Sequence, residues 1–340
     1  MNIVNVSTLS PDWNWLAPRF ADRPGQRWTH VSTESMPVPS WQHRSDLARR
    51  VLAARAACRL ATPGDSLLVS HGPRISLYVE LANRRRPQRA QHLAYFFNYT
   101  ELPRGKKRAL HANALRTVDR FVVSSTAKRS IYSSYFDIPI ERIDIIHWAV
   151  RPPHLVQGEP ALVPGDYLCA VGGQGRGYGV LVEAMRELPD LRLVIVASRA
   201  SMAGLRVPDN VEVRIDTPLP EATNIIAHSR FMVLPLRDAE VPCGHVTMVS
   251  AMHLGKAIVA TRSSGIADYV QEGGNGLFAE SHDPHSLARV IGKLAGVAAQ
   301  RDRLGENGRR FAGEHCMEDN AAAYFERFLA LHGPTSEGRK

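Results

Sequence analysis

The sequence predicts an α/β protein of two doubly wound domains, each built around a parallel sheet and facing a central cleft. In both halves of the chain, short apolar runs bounded by Gly, Pro or Asp alternate with longer segments of helical spacing, which is typical of βαβ units. The length of 340 residues accommodates two domains of ordinary size. The composition, 44% hydrophobic and 22% charged, is that of a soluble globular protein.

The first half, residues 1–152, is expected to form an N-terminal domain. Strands are predicted at 2–6, 66–70, 92–96, 121–124 and 143–147, and helices at 46–60, 107–117 and 127–135. Residues 151–160 are dense in proline and have no apolar period, so we interpret 153–163 as an interdomain linker.

The second half, residues 164–319, is expected to form a C-terminal domain of the same kind. Strands are predicted at 167–171, 192–197, 211–215, 231–234, 257–261 and 276–278, and helices at 180–187, 221–228, 246–253, 286–296 and 298–314. Residues 320–340 are predicted to hold a tail and a helix at 320–331 that returns to the first domain. Its apolar side would carry Ala323, Phe325, Phe328 and Leu329.

Charge and cysteine usage narrow the classes of partner. The net charge of +9 favours anionic partners such as nucleotides, phosphorylated sugars or acidic lipid. The four cysteines form no CxxC pair, which argues against a zinc site and a disulfide framework and favours a cytoplasmic protein. No apolar stretch approaches the roughly 18–20 residues of a membrane span, so any membrane association is expected to be peripheral.

A glycine-rich turn follows the strand at 167–171. Gly172 and Gly173 allow a ligand to approach the backbone, the following helix offers free amides to a phosphate, and Arg176 adds a cation. A tight structural connection is the alternative. The turn is not a dinucleotide fingerprint, because Asp190 precedes the next strand instead of ending it.

A second turn leads through Gly244 into the helix at 246–253. It brings the amides of Val246 and Thr247, and the Thr247 hydroxyl, toward the same cleft, and two helix N-termini suit a diphosphate. Ser250 either points to the ligand or bonds the preceding carbonyls. His245 either faces a bound sugar or closes the loop.

These motifs together resemble glycosyltransferase family 4 of the GT-B fold. The likeness is carried by 172–185 (GGQGRGYGVLVEAM), 193–196, 231–235, 247–261 (TMVSAMHLGKAIVAT), 265–278 (GIADYVQEGGNGLF) and 283–287. It covers residues 165–330 well and the first half more weakly, through 92–98 (HLAYFFN), 122–125 and 138–150.

The resemblance implies two Rossmann-like domains and transfer of a sugar from a nucleotide diphosphate sugar to an acceptor. Transfer would be of the hexosyltransferase type, with retention of configuration and without a metal ion or a further cofactor. The C-terminal domain would bind the nucleotide sugar and the N-terminal domain a saccharide or lipid-linked saccharide. Surface polysaccharide or glycolipid synthesis is the expected context.

The chain departs from the pattern of this family at several positions. Its two-glutamate motif reads Pro242 and Ser250 here, which leaves Glu240 as the nearest substitute for the contact with the donor sugar. Gly173 stands where the family has an Arg of the diphosphate-binding pair, and Arg176 stands at the Lys of that pair.

The weaker match in the first half adds two candidate site residues. Asn98 stands where many members carry a His facing the donor sugar; it cannot act as a base, but it can hold a hydroxyl or a phosphate oxygen. His71 lies at a strand end, where it either borders the acceptor or is only a hydrogen-bonding residue that ends the strand. The candidate catalytic residues are therefore Arg176, Asn98, His71 and Glu240.

Basic clusters in the first half raise the possibility of an anionic membrane partner. The helix at 46–60 carries an apolar stripe with arginines on its flanks, and further clusters lie at 84–86 and 104–108. The stripe comprises Leu47, Val51, Leu52, Ala56 and Leu60, and the flanks Arg49, Arg50, Arg55 and Arg59. An ordinary helix with solvated arginines is the alternative. Aromatic residues do not interleave with these clusters, which disfavours nucleic acid.

Two other functions stay open at this point. The missing carboxylates suit a non-catalytic protein that binds a nucleotide sugar in a degenerate GT-B site. A sugar-nucleotide epimerase on the same two-domain plan would convert the donor without any acceptor.

Overall fold

The computed structural model describes residues 1–23, 25–38, 46–99, 101–154, 158–173, 175–237 and 243–332. They form two compact units, each with a six-stranded parallel sheet. Unit 1 runs to Ile146 and includes the described residues from Ala321 onward; unit 2 is His147–Asn320. Among the described residues, no helix is long and apolar enough to cross a membrane.

The segment predicted as a linker belongs to unit 2 over its described second part. The Leu162 amide donates to Oδ1 of Asn224, whose Nδ2 donates to the Pro160 carbonyl, both at 3.0 Å. Val163 is fully buried. Asn224 is itself buried, and these bonds to an irregular segment satisfy its amide. The chain therefore passes between units at 146–147, earlier than the prolines indicated.

Unit 1 has the strand order β2-β1-β3-β4-β5-β6. The chain adds β2 on one side of β1 and then adds β3 to β6 on the other side, so the strand order reverses between β1 and β3. Its strands are β1 (Asn2–Ser7), β2 (Arg27–Ser32), β3 (Ser66–His71), β4 (Gln91–Tyr95), β5 (Arg120–Val123) and β6 (Ile143–Ile145). Its helices are α1 (Asp46–Leu60), α2 (Pro73–Asn83), α3 (Gly105–Leu115) and α4 (Thr126–Phe136). Single 3₁₀ turns lie at Ala17–Phe20 and Ile140–Arg142.

Two elements of unit 1 were missing from the sequence prediction. Strand β2 is fully buried only at its last two residues, so its apolar pattern is weak. Helix α2 starts after Gly72, and its buried face includes Ser76, Glu80 and Asn83, which interrupt the apolar period.

The predicted apolar stripe of α1 is not its buried face. The helix packs through Ala53, Ala54, Ala57 and Cys58, whose small side chains let it approach the sheet closely. The large residues at its ends stay in solvent, with Leu47 53% and Leu60 47% exposed.

Unit 2 has the strand order β12-β11-β10-β7-β8-β9. The chain adds β8 and β9 on one side of β7 and then adds β10 to β12 on the other side, so the strand order reverses between β7 and β10. Its strands are β7 (Leu168–Val171), β8 (Leu193–Ala197), β9 (Val211–Ile215), β10 (Met232–Leu234), β11 (Ile258–Thr261) and β12 (Gly276–Ala279). Its helices are α5 (Tyr178–Arg186), α6 (Arg199–Met202), α7 (Leu219–His228), α8 (His245–His253), α9 (Pro284–Gly296) and α10 (Ala298–His315).

Helix α11 (Glu318–His332) begins in unit 2 and continues into unit 1. Its buried side chains include Phe325 and Phe328, as predicted, together with Ala321 and Ala322. The prediction for Ala323 is wrong: this residue is exposed, because the buried face of the helix runs through its neighbours.

Helices α5 and α8 cover opposite faces of the sheet in unit 2. Residues of α5 and α9 pack with Leu168 and Ala170 of β7, and residues of α7 and α8 pack with Cys169 and Val171. Two turns therefore approach the same end of the strands from opposite faces of the sheet. One turn joins β7 to α5, and the other precedes α8.

Candidate functional site

The glycine-rich turn of unit 2 lies where the strand order reverses. Strands β7 and β10 are neighbours, and the chain leaves β7 across the end of β10. Arg176 forms an antiparallel bridge with Leu236, and the Gly177 amide donates to the Pro235 carbonyl at 2.7 Å. Ligands of open α/β sheets bind beyond the carboxyl ends of the strands at such a point.

The Arg176 side chain links this turn to helix α8. Its Nη2 donates to Thr247 Oγ1 at 2.7 Å and to the Val171 carbonyl at 3.2 Å. Only 8% of Arg176 is exposed, and this burial lowers the pKa of its guanidinium. Arginine nevertheless stays protonated in proteins, so a fixed positive charge lies at the start of α8.

Two glycines make room for this guanidinium. A Cβ on Gly172 would lie 2.4 Å from Arg176 Nη2, and a Cβ on Gly244 would lie 3.1 Å from Nη1. Both glycines also have positive φ, 131° and 92°, which disfavours side chains there. The close approach of the arginine therefore leaves no room for a side chain at position 172, and at position 244 the arginine acts together with Leu236, whose Cδ2 would lie 2.9 Å from the added Cβ.

Helix α8 begins at His245 after the N-cap Gly244, which has no side chain to cap the first turn. Val246 is 46% exposed. The Thr247 hydroxyl donates to the Gly244 carbonyl at 3.3 Å while it accepts from Arg176. The first turn of α8 and the guanidinium together form a positive region suited to a phosphate.

His245 and Ser250 both bond to backbone in this structure. The buried His245 ring contacts Tyr269 and stacks on Trp148, and its Nε2 is 2.9 Å from the Gly265 carbonyl. The Ser250 hydroxyl donates to the Val246 carbonyl at 2.9 Å, so it points back along its own helix.

The other side of the glycine turn carries residues that the sequence did not single out. The Ser201 hydroxyl donates to the Gly173 carbonyl at 2.5 Å and lies 2.7 Å from Ser198 Oγ. These serines are close to the turn in the folded structure but distant from it in the sequence, so no local sequence pattern indicates them. Glu240 and Pro242 lie outside the described residues.

A cavity of about 260 Å³ lies beside the start of α5. Its walls are largely apolar, and two arginines and a histidine are among the residues that line it. The lining residues include Val180, Leu205, Leu236, Arg237 and His282. It borders Arg176 from the α5 side of the turn, whereas the guanidinium reaches toward Thr247 on the other side.

The two candidate residues of unit 1 lie at the ends of adjacent strands. His71 ends β3, where its Nε2 is 2.5 Å from Asn5 Oδ1. Asn98 follows β4; its Oδ1 is buried and has no hydrogen-bond partner in the described part of the chain. Asn5 was missed by sequence reasoning, since 66 positions separate it from His71. Among the described residues, no group of three or more His, Cys, Asp or Glu is placed to hold a metal.

Comparison with known proteins adds a family signal to this geometry. Residues 166–296 match the family model described as Glycosyl transferases group 1. An uncharacterized glycosyltransferase of Methanocaldococcus jannaschii is 32% identical over 149 residues, which cover 42% of this chain and 41% of that protein. The matches span about two fifths of the length of the first curated relatives.

Solved structures match over nearly the whole chain. Sucrose-phosphate synthase from Thermosynechococcus elongatus has a TM-score of 0.75 at 16% identity and covers 98% of this chain and 100% of its own. HepE from Anabaena, in complex with UDP and glucose, has a TM-score of 0.70 at 14% identity and covers 97% and 100%. The predicted α/β fold of the GT-B type, with two parallel-sheet domains, is confirmed.

Proposed function

We propose that the chain is a glycosyltransferase that uses a nucleotide diphosphate sugar bound to unit 2. The observation that carries the proposal is the buried Arg176 guanidinium, held by Thr247 at the start of α8 and at the strand-order reversal. The match of residues 166–296 to a glycosyltransferase model supports it. The solved complexes of HepE with UDP and UDP-glucose support this ligand class.

The chemistry follows from what a leaving diphosphate needs. Negative charge develops on the diphosphate as its bond to the sugar breaks, and preorganised donors stabilise that charge without reorganising. The guanidinium and the first turn of α8 would do this, and Gly172 and Gly244 would let the phosphates approach the backbone. Such stabilisation does not require the carboxylates that are absent at Pro242 and Ser250.

The first test is thermal unfolding with UDP, ADP, GDP and their hexose conjugates. A ligand at 100 times its Kd should stabilise the protein by about 2.7 kcal/mol. Arg176→Met should weaken the selected nucleotide at least tenfold, or about 1.4 kcal/mol. Arg186→Met, at an exposed residue at the end of helix α5, should leave its Kd unchanged. No shift with any nucleotide would refute the proposal.

We further propose that transfer retains the anomeric configuration and needs no metal ion. Proton NMR of the first product formed should show the anomeric coupling of the donor, and turnover should persist in EDTA. Inversion, or loss of turnover that Mg²⁺ or Mn²⁺ restores, would contradict these two points without affecting donor binding.

A second candidate, a protein that binds nucleotide sugar without turnover, is favoured by Ser250. A single neutral hydroxyl, which already donates to the Val246 carbonyl, stands where the resemblance implies a carboxylate that holds the ribose. Tight nucleotide-sugar binding with no transfer to any saccharide in a broad acceptor panel would favour this candidate. Conversion of the donor in the absence of acceptor would favour an epimerase instead.

We also propose that the acceptor is carried on an anionic membrane that unit 1 contacts through α1 and α3. Leu47, Leu60 and Leu110 are about half exposed, and the two helices that hold them also carry exposed cations. These cations are Arg55, Arg59, Lys106 and Lys107. Each cation near such a surface contributes about 1 kcal/mol.

Sedimentation with vesicles tests this surface. Binding to phosphatidylglycerol vesicles but not to phosphatidylcholine vesicles is expected, and Arg55→Gln/Arg59→Gln should weaken it at least fivefold. Arg186→Gln/Arg206→Gln in unit 2 removes the same charge and should have little effect. Equal binding to both lipids, or none, would contradict the proposal.

A further inference from the structure

Unit 1 has its own point of strand-order reversal, between β1 and β3. The two strands pair in parallel, with Asn5 opposite Val69 and Val6 opposite Ser70. His71 is the next residue along β3, at its carboxyl end. The crevice expected at such a reversal therefore opens above the side chains of Asn5 and His71.

The His71 ring is held from several directions. Its Nε2 lies 2.5 Å from Oδ1 of Asn5, which is 3% exposed. Trp13 and Trp15 contact the ring at right angles, with centroids 4.8 Å and 4.6 Å away. Tyr95 packs on it at 5.4 Å. The orientation of the imidazole is thus fixed by packing as well as by a hydrogen bond.

The contact with Asn5 selects one tautomer of His71. An amide oxygen only accepts, so Nε2 carries the proton and Nδ1 keeps its lone pair. In the described part of the chain Nδ1 has no hydrogen-bond partner, and it is not completely buried. Burial of the ring, aided by nearby His30, lowers the pKa of His71 to about 3, and the imidazole therefore stays neutral.

The two indoles that pack against the His71 ring also contact each other. Trp13 and Trp15 stack with centroids 6.2 Å apart at 26°, and both are only partly buried. Trp15 has a φ of 45°, a conformation that a bulky side chain rarely adopts. Strain of this kind tends to persist at ligand sites, where the surrounding structure enforces it.

We propose that Trp13, Trp15 and His71 form a subsite for a sugar ring of the acceptor, with Asn5 as the positioning residue. A sugar ring presents an apolar C–H face and a rim of hydroxyls. The face would pack on indole, and one hydroxyl would donate to Nδ1 of His71. The inference rests on the proposed function, since it assigns the acceptor of that same reaction.

Neutrality of His71 suits this role. An imidazolium would offer only donors, whereas the Nε2–H tautomer offers a lone pair that orients an acceptor hydroxyl. A ring with so low a pKa is a poor base at neutral pH, so His71 is assigned to binding and orientation rather than to proton removal.

Nitrogen NMR of the full chain with ¹⁵N-labelled histidine tests the tautomer directly. His71 should appear as neutral Nε2–H from pH 5 to pH 8. In Asn5→Asp the added carboxylate should keep that tautomer and raise the pKa of His71, whereas in Asn5→Leu the two tautomers should mix. The Nε2–H tautomer is required for Nδ1 to accept from a hydroxyl, and a glycoside effect on Nδ1 distinguishes a binding role from a merely structural one. A dominant Nδ1–H form in the unmodified protein would overturn the proposal.

Methyl glycosides of glucose, galactose and mannose serve as probes of the subsite. At least one should move the His71 Nδ1 signal and the indole signals of Trp13 and Trp15, while Trp148 of unit 2 stays unchanged as an internal control. His71→Phe, which keeps a ring in place, should weaken that glycoside at least tenfold.

The same samples are titrated with UDP and UDP-glucose, so that the two proposals fail separately. Nucleotide binding without any glycoside effect on His71 would overturn the subsite and leave the proposed function standing. Glycoside binding in a protein that binds no nucleotide would overturn both, because the sugar would then not be an acceptor.

Discussion

At the scale of single residues, four buried polar side chains of unit 1 are linked into one chain of hydrogen bonds. Glu80 Oε2 and His92 Nδ1 are 2.7 Å apart, and His92 Nε2 is 2.7 Å from Ser70 Oγ. Ser70 donates its one proton to Ser76, so its oxygen accepts from His92. Neither Glu80 nor His92 has any exposed side-chain surface.

This pair predicts a specific acid sensitivity. Burial alone would raise the pKa of Glu80, but the hydrogen bond and charge of His92, with Thr117 and Arg89, outweigh it and lower the pKa. The stabilisation is therefore present above the unfolded carboxyl pKa of about 4.3 and is lost as pH falls through the lower folded value. Glu80→Gln should cost about 3 kcal/mol at pH 7 and flatten the pH dependence below pH 4.3.

Urea unfolding between pH 3 and pH 8 measures both effects. Glu212→Gln is the matched control: the pKa of Glu212 is also lowered, chiefly by Arg214, but its side chain is one-third exposed. It should cost less than about 1 kcal/mol. Equal losses of unfolding free energy in the two variants would show that the buried Glu80–His92 pair stabilises the protein no more than a partly exposed ion pair does.

A second prediction at this scale concerns the glycine turn. Gly172→Ala should weaken UDP at least tenfold, because the added Cβ would lie 2.4 Å from Arg176 Nη2 and displace the guanidinium. Gly179→Ala is the control, since its Cβ would meet Leu205 at an ordinary 3.7 Å. Calorimetric titration measures both Kd values; an unchanged Kd in Gly172→Ala would show that the position of Arg176 does not matter for the nucleotide.

Sequence spacing indicated some of the site residues and gave no indication of others. Arg176 and Thr247 were found because each stands in a turn between a strand and a helix, which is local information. Asn5 and Ser201 were missed because they act on residues far away in the chain, His71 and Gly173, through contacts that only folding creates. The direction of the Ser250 hydroxyl was left open by the sequence because a bound ligand and the Val246 carbonyl one turn earlier are both compatible with its position in the helix.

At the scale of elements, helices α8 and α10 meet through two glycines. A Cβ on Gly305 would lie 2.1 Å from the carbonyl oxygen of Gly255, just after α8. We expect Gly305→Ala to destabilise the protein by about 1–3 kcal/mol despite its better helix propensity. Gly313→Ala, where nothing lies within 4 Å, should instead stabilise it by up to about 1 kcal/mol. Chemical denaturation compares them, and stabilisation by both would disprove the close contact.

Elements with clear apolar periods were predicted well, and those with buried polar groups were not. The strands β7, β8, β10 and β11 of unit 2 are continuous buried runs, and the predicted bounds of all six strands of that unit lie within one residue of the observed ones. Helix α2 buries Glu80 and Asn83, and α1 buries alanines while it exposes Leu47 and Leu60. Periodicity measures hydrophobicity, whereas close helix packing selects small size and satisfied polar groups.

At the scale of the whole molecule, the last described helix completes the core of the first unit. Phe325 of α11 is fully buried and contacts Trp15, Phe20 and Trp28, with centroids between 5.4 and 5.8 Å away. Tyr324 also donates to Asp144 at 2.8 Å. The core of unit 1 therefore depends on residues about 300 positions downstream, after the whole of unit 2 has been made.

This dependence predicts that unit 1 can be destabilised without unit 2. Phe325→Ala should cost unit 1 about 3–5 kcal/mol, because it empties a site between three aromatic rings. Leu331→Ala, at a residue 78% exposed on the same helix, should have almost no effect. Scanning calorimetry with and without UDP assigns the transitions, since a ligand of unit 2 raises only the transition of that unit. In Phe325→Ala the UDP-insensitive transition should move down while the UDP-sensitive one stays; equal shifts of both would show that the two units unfold as one.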